Sequence, residues 1–333
     1  MSVPRVSVLV PCWNDGRFLD EALRSVAAQS FGDFEAIVAD DGSTDDTPAI
    51  AAAWAARDPR FRLARSETNL GMGQNWNRAL GEARGELVAK LDGDDVWGEE
   101  TLGRMVAEFA ATSDLLLAGV RTVNCDEALV PVRAWPGEEA LVRAGLDPAR
   151  RHQRPGLFWW HLSLADFQLW SSCATLVPRR ELERLGGWDA RWLAADTDLL
   201  LRLLELDRPV VHLPYEGVRY RRRAGSASLT AAAEGWKPLE VMLITLGSLA
   251  RRGTGRRLLS ARVRWNWWRL DAGVERLLAA GALARAPERY RTHLAEAAVT
   301  RAPRPAAVRI EGALRGRFGS LRHRARAERS REP

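Results

Sequence analysis

The sequence predicts an α/β protein with a mostly parallel, twisted sheet flanked by helices, followed by a C-terminal helical extension. Three observations carry that reading. Short apolar runs alternate with amphipathic stretches at the spacing of βαβ units. Three of those runs end in polar loops bearing Asp or Asn, Asn14-Asp15, Asp40-Asp41 and Asp92 to Asp95. In open α/β sheets ligands bind beyond the carboxyl ends of the strands, so these loops are expected to meet at one site.

Val6–Val10 is a compact apolar run and the first strand, followed by Pro11-Cys12-Trp13-Asn14 and an amphipathic stretch from Phe18 to Ala28. Phe34–Ala39 is the second strand and leads into Asp40-Asp41-Gly42-Ser43. Thr47 reads as an N-cap with Pro48 at the first helical position of a helix reaching Arg57. Phe61–Ala64 is a weaker strand, and a loop through Asn69-Leu70-Gly71 opens a helix over about 74–83. Glu86–Leu91 is the next strand and runs straight into Asp92-Gly93-Asp94-Asp95. Asp114–Val120 is another. Residues 121–165, rich in Arg, Trp and Pro, lose clear periodicity and form the expected acceptor-side region. Order returns at Pro178–Leu185, at Gly186-Gly187-Trp188-Asp189, and in a leucine-rich helix over Ala194–Leu206.

The domain reading is one unit over residues 1–234 in two halves, 1–120 and 121–234, the first of which carries the three polar strand-end loops. Residues 235–333 form a basic, mostly helical extension with a breaker at Arg301–Pro305 and a poorly packed end. At 333 residues and 46% hydrophobic content the chain can bury one sizeable core. Cys12, Cys125 and Cys173 are odd in number and widely spaced, which favours neither a disulfide framework nor a zinc site and points to a reducing, cytoplasmic setting. The start lacks a signal-peptide profile. The longest apolar stretch, Val241–Ala250, falls far short of the roughly 18 residues of a membrane span.

Charge is distributed unevenly. Residues 251–333 carry 21 Arg against 7 acids, about +14 of a chain total of +6, which leaves the first 250 residues acidic. Trp265, Trp267 and Trp268 lie beside Arg262, Arg264 and Arg269, a composition suited either to packing on the first unit or to peripheral contact with an anionic membrane. Of the 49 basic residues 47 are Arg, so part of this run is a chain-wide bias. The tail holds no recognisable nucleic-acid module, and no nucleic-acid partner is expected.

The sharpest chemical feature is Asp92-Gly93-Asp94-Asp95 at a strand end. Clustered carboxylates are stable together mainly when a cation shares them, and oxygen ligands suit Mg²⁺ or Mn²⁺. The same tetrapeptide alone fits a solvated acidic turn with Gly93 at positive φ. Asp41 can accept from a nucleobase edge, or belong to an ordinary Asp-Gly turn. Trp13 can stack on a base or be a rim aromatic. Asp196 opens an apolar helix as either a first-turn acid or a general base. Asp198 points to a different face of that helix, so both cannot serve one site.

Taken together, in order and spacing, these segments resemble the family 2 glycosyltransferases. The set is Asp-Asp-Gly-Ser after the second strand, Asn69-x-Gly71, Gly85-Glu86, Asp92-x-Asp94-Asp95, Gly186-Gly187-Trp188-Asp189, and Asp196 with its Leu-Leu-Leu-Arg, over about residues 4–230. The resemblance implies a GT-A fold, a nucleotide-diphospho-sugar donor (UDP-, dTDP- or GDP-linked), a Mg²⁺ or Mn²⁺ ion and inversion at the anomeric carbon. It places Pro11, Trp13, Asn14, Asp41 and Asp92 at the nucleotide-sugar, Asp94 with Asp92 and Asp95 at the metal, and Asp196 as catalytic base. It makes residues 1–234 the catalytic domain, with 1–120 as its nucleotide-sugar half and 121–234 as its acceptor-side half carrying the base, and implies a glycan, lipid-linked or small-molecule acceptor.

Two positions depart from the family. The base motif reads Ala195-Asp196 where Glu-Asp is usual. Tyr220-Arg221-Arg222-Arg223 resembles a Tyr-Arg-x-His segment with Arg223 in the His slot, and Arg can clamp a diphosphate but cannot ligate a metal. The Gln-x-x-Arg-Trp motif of processive synthases is absent, so single-sugar addition is expected. A catalytically impaired relative stays open as an alternative. A nucleotidyltransferase is the other, although Pro11–Gly16 lacks the Gly-rich basic phosphate loop usual there.

Overall fold

A computed structural model describes residues 3–166, 169–223, 226 and 236–252. Internal contacts divide the chain into Met1–Glu234 and Gly235–Pro333. The first unit opens β1 (Val6–Cys12), α1 (Leu19–Ala27), β2 (Phe34–Asp40), α2 (Thr47–Arg57), β3 (Phe61–Arg65), α3 (Met72–Glu82) and β4 (Leu87–Lys90). It continues through β5 (Val96–Trp97), α4 (Thr101–Ala111), β6 (Leu117–Cys125), β7 (Pro131–Ala134), α5 (Pro136–Arg143), β8 (His152–Pro155) and α6 (Gly156–Asp166). A 3₁₀ turn at Ser172–Ala174 leads to β9 (Thr175–Pro178), α7 (Arg179–Arg184), α8 (Ala195–Leu204) and β10 (Pro209–Arg221). In the second unit one helix is described, α9 (Trp236–Arg251). The Trp- and Arg-rich tail, its breaker and its end lie outside the described residues. Among the described residues no helix is long and apolar enough to cross a membrane.

The strands form one sheet in the order β3-β2-β1-β4-β9-β6-β10-β5, with β7 on β6 and β8 on β10. From β3 to β4 every pairing is parallel, as the βαβ spacing predicts. Beyond β4 the sheet is mixed, because β9 runs antiparallel to both β4 and β6. Two reversals restore direction, so β6 and β10 point the same way as β1 to β4. Six strands therefore present their carboxyl ends to one edge. Burial on both faces makes β1 and β2 mostly apolar in sequence; every residue of each is buried, and the polar pair Ser7 and Glu35 is satisfied by a 2.7 Å bond from the Ser7 hydroxyl to Glu35 Oε1.

Several elements differ from the sequence reading for identifiable reasons. Thr47 is the first residue of α2 rather than its cap. Asp45 Oδ1 accepts from the Thr47 N–H at 3.0 Å, while the Thr47 hydroxyl accepts from the Asp15 N–H at 2.9 Å. The break placed at residue 120 falls inside β6. The longest strand, β10, is hidden by Pro214 and Gly217. Register shifts between His212 and Glu216 and between Glu216 and Val218 absorb both residues into bulges. A Cβ on Gly217 would stand 2.6 Å from Val120 Cγ2, so close backbone approach requires glycine there.

Behind β10, His212 is buried with Trp159 and Trp170. Indole N–H can only donate, so the 3.2 Å contact of Trp170 Nε1 makes His212 Nδ1 an acceptor and puts the ring proton on Nε2, facing Pro148 O at 3.3 Å. Burial pushes the imidazole down to about 4, helped by His152 and Arg121 and opposed by the Pro148 carbonyl. A depressed histidine contributes stability that is complete above its ordinary value near 6.5 and is lost as pH falls from there toward 4. Between pH 7 and 5 the loss amounts to about 2 kcal/mol. Urea unfolding across that window is expected to be steeper in pH for the natural protein than for His212→Gln. Identical slopes would refute the assignment.

Candidate active site

The loops at the carboxyl edge are bonded to one another. The Gly93 N–H donates to Pro11 O at 3.1 Å and the Asp41 N–H to Cys12 O at 3.0 Å. The Asn14 N–H donates to Ser43 Oγ and Asn14 Oδ1 accepts from the Thr44 N–H, each at 2.9 Å. Asn14 takes φ of 54° to make both bonds, a conformation Asn tolerates better than most residues. Pro11 lies past the last β1–β4 register pair, at Leu9, where its missing N–H breaks no bond to β4.

The acidic tetrapeptide is no solvated turn. Gly93 is not among the positive-φ glycines; a Cβ on it would lie 2.9 Å from Cys12 Cβ and 3.0 Å from Asp15 Oδ2. Close packing against the end of β1 is why glycine stands there. Asp95 is fully buried, with Oδ1 accepting from the Arg221 N–H at 2.8 Å. The one thiol hydrogen of Cys173 goes to Asp92 Oδ2 at 3.3 Å, and Asp95 Oδ2 has no partner. Asp92, Asp95 and Cys173 bring ligand atoms within 4.8 Å of one another. Asp94 Oδ2 accepts from Arg223 Nε at 2.6 Å.

Electrostatics follow from this crowding. Burial, then Asp94 and Asp92, push the Asp95 carboxyl well above the carboxylate range. Asp94 is raised by burial and by Asp92, with Arg223 pulling the other way. Asp15 is pushed to about 7, first by burial and then by Asp94. A divalent cation relieves this repulsion, and the orphaned Asp95 oxygen with its oxygen-rich surroundings fits a hard ion.

Asp196 lies in the first turn of α8, with Oδ1 on the Thr197 N–H at 2.8 Å. A solvent-open pocket of about 50 Å³ is lined by Ala89, Lys90, Trp170, Trp188 and Asp196 among others. Asp198 faces away and its carboxylate is taken by Arg202 Nε at 2.7 Å. Trp13 is 52% exposed at the end of β1, free to present a ring face. Asp41 differs from expectation in its surroundings: it is buried, and its two oxygens accept from the Leu70 and Gly71 N–H groups, each at 2.9 Å. It fastens the loop that opens α3.

Four residues of the site escaped the sequence reading as site residues. Asp15 links the Trp13 N–H to Arg223. Arg221 is 3% exposed and ties the Asp94 carbonyl, at 2.7 Å, to Glu21, at 2.6 Å. Cys173 reaches the edge because the 3₁₀ turn precedes the reversed strand β9. Lys90 is buried, with Nζ on Asp92 and 4.4 Å from the centre of the Trp76 ring. One signal for Lys90 was present: it is the sole lysine of residues 1–234 in a chain that otherwise uses arginine.

Comparison with known proteins agrees with this architecture. The Glycosyl transferase family 2 profile matches residues 7–160. An uncharacterised protein of Mycobacterium tuberculosis, MT1568, is 31% identical over 231 residues, 68% of this chain and 70% of that protein. Other curated relatives are matched over 17% to 46% of their own length. Among solved structures, S. aureus TarS 1–349 in complex with UDP-GlcNAc superposes with a TM-score of 0.55 at 20% identity, covering 87% of this chain and 90% of that one. The mannosyltransferase PcManGT of Pyrobaculum calidifontis, in complex with GDP-Man and Mn²⁺, gives 0.55 at 20% identity over 90% of this chain and 81% of its own. The fold and the site define a glycosyltransferase of GT-A architecture. The chain belongs to glycosyltransferase family 2.

Proposed function

We propose that the protein transfers a single sugar from a metal-bound nucleotide-diphospho-sugar to an acceptor hydroxyl, with inversion at the anomeric carbon. The observation that carries this reading is Lys90, which contacts Asp92 of the acidic cluster and lines the same pocket as Asp196. Trp13 stacks on the base, and Pro11, Asn14 and Asp41 shape the loop beneath it. Asp92 stands toward the ribose and the ion. Asp94, with Asp92 and Asp95, would hold Mg²⁺ or Mn²⁺, and the ion would supply positive charge to offset that of the departing diphosphate. Asp196 takes the acceptor proton as the hydroxyl attacks from the face opposite the diphosphate, and Arg223 clamps that diphosphate. The donor is UDP-, dTDP- or GDP-linked, and a UDP-sugar and a GDP-sugar are bound in two structural neighbours. The acceptor is a glycan, a lipid-linked saccharide or a small metabolite, met at the cytoplasmic face.

Thermal shifts with a panel of UDP-, dTDP- and GDP-sugars test the reading. One donor is expected to stabilise the protein, and more so with Mn²⁺ than with EDTA. Trp13→Ala should weaken that donor by about 1–3 kcal/mol, the usual value of base–aromatic stacking. If no nucleotide-sugar stabilises the protein under either condition, the reading fails.

A further inference from the structure

Arg223 is seated differently from the other cations of the site. Its Nε is 2.6 Å from Asp94 Oδ2, its NH2 group 2.5 Å from Asp15 Oδ1, and its guanidinium 5.5 Å from the Phe18 ring centre. One cation thus spans two carboxylates on different loops. Neighbouring Arg221 is 3% exposed and held by backbone carbonyls and Glu21, whereas the Arg223 side chain is 24% exposed.

We propose that Arg223 is the resident counter-cation of Asp94 and competes with the divalent ion for that carboxylate, so that the ion enters together with a diphosphate and not before it. This rests on the metal-dependent reading above. A guanidinium has no lone pair to share with a metal and is always charged. An ion bound to Asp94 at ordinary ligand distance would sit within a few ångström of a fixed positive charge, in a buried setting where repulsion is poorly screened. A diphosphate resolves the conflict. Its oxygens accept the guanidinium fork and leave Asp94 to the ion. Metal and nucleotide then bind with positive coupling, which must be reciprocal.

Mn²⁺ titration of the full chain, followed by electron paramagnetic resonance of the free ion, tests this without any turnover assay. The natural protein is expected to bind Mn²⁺ about 5–150-fold more tightly with saturating UDP or GDP than without nucleotide. Arg223→Gln and Arg223→His should each bind Mn²⁺ alone at least about tenfold more tightly than the natural protein, the scale of losing one charge a few ångström away. Both should show weaker coupling to the nucleotide, and Asp94→Asn should lose the ion in every background. If the natural protein binds Mn²⁺ and both Arg223 variants bind it equally well without nucleotide, the competition is overturned and the metal site stands. Retention of the ion by Asp94→Asn overturns it too, since the ion is then held elsewhere. Absence of Mn²⁺ binding in every form, with UDP and GDP present, overturns the metal reading and this inference with it.

Discussion

Asp196→Asn is expected to reduce turnover by about 10²–10⁴-fold while leaving donor affinity nearly unchanged, the signature of a group that acts in the transition state. Its place in the fold makes the test discriminating. Asp196 and Asp198 both lie in the first turn of α8, yet only Asp196 lines the crevice. Asp198, 7% exposed, is paired with Arg202, which also donates to Leu185 O and Gly187 O, each at 2.8 Å. Asp198→Asn should therefore cost stability and spare the chemical step. Steady-state kinetics with the donor found by thermal shift, together with melting curves for both variants, separates the two roles. If Asp198→Asn proves inactive but well folded while Asp196→Asn keeps its turnover, the base assignment is wrong by two residues.

The contrast between these two acids also shows what the sequence discloses. Strands buried on both faces, β1 and β2, are legible because most of their residues are apolar, and their carboxyl-end loops follow directly. The pairing of β9 between β4 and β6 is not legible, since a four-residue strand carries no directional mark. Short edge elements are equally silent. All four residues of β7 are exposed, so no alternation distinguishes it from a loop. At the site, the carboxylates of Asp92 and Asp95 come together with Cys173, Arg223 reaches Asp94, and Asp196 lines a pocket with Lys90, which contacts Asp92. The role of Asp41 as the anchor of residues 69–71 depends on two backbone N–H groups, which leave no residue-type signature. The same holds for Arg221, whose bonds run to backbone atoms as well as to Glu21.

Lys90 is where composition and structure meet most directly. In a chain with 47 arginines among 49 basic residues, a lysine occupies the buried cationic position at the end of β4. Burial would depress its ammonium, but Asp92 first, then Cys173 and Asp196, hold it above its ordinary value. It therefore stays charged throughout the accessible pH range, and its contribution has no pH dependence near neutrality. A compact ammonium fits between Asp92 and the Trp76 ring, where a guanidinium would press on Trp76 and its edge contact with Trp188, whose ring centre is 5.7 Å away. Lys90→Met removes the cation at nearly constant volume and leaves Asp92 facing the unpaired oxygen of Asp95. Breaking a buried pair from one side typically costs about 3–5 kcal/mol, and the 30% exposure of the Asp92 side chain places this case near the lower figure. A melting temperature about 6–12 °C below that of the natural protein is expected, at roughly 2–4 °C per kcal/mol for a unit of this size. Lys90→Arg keeps the charge and should lose less, about 1–3 kcal/mol from overpacking. Scanning calorimetry measures both. If Lys90→Met melts within 2 °C of the natural protein, as a rough detection limit, Asp92 is carried by Cys173 and solvent alone, and Lys90 does not hold the acidic wall of the crevice in place.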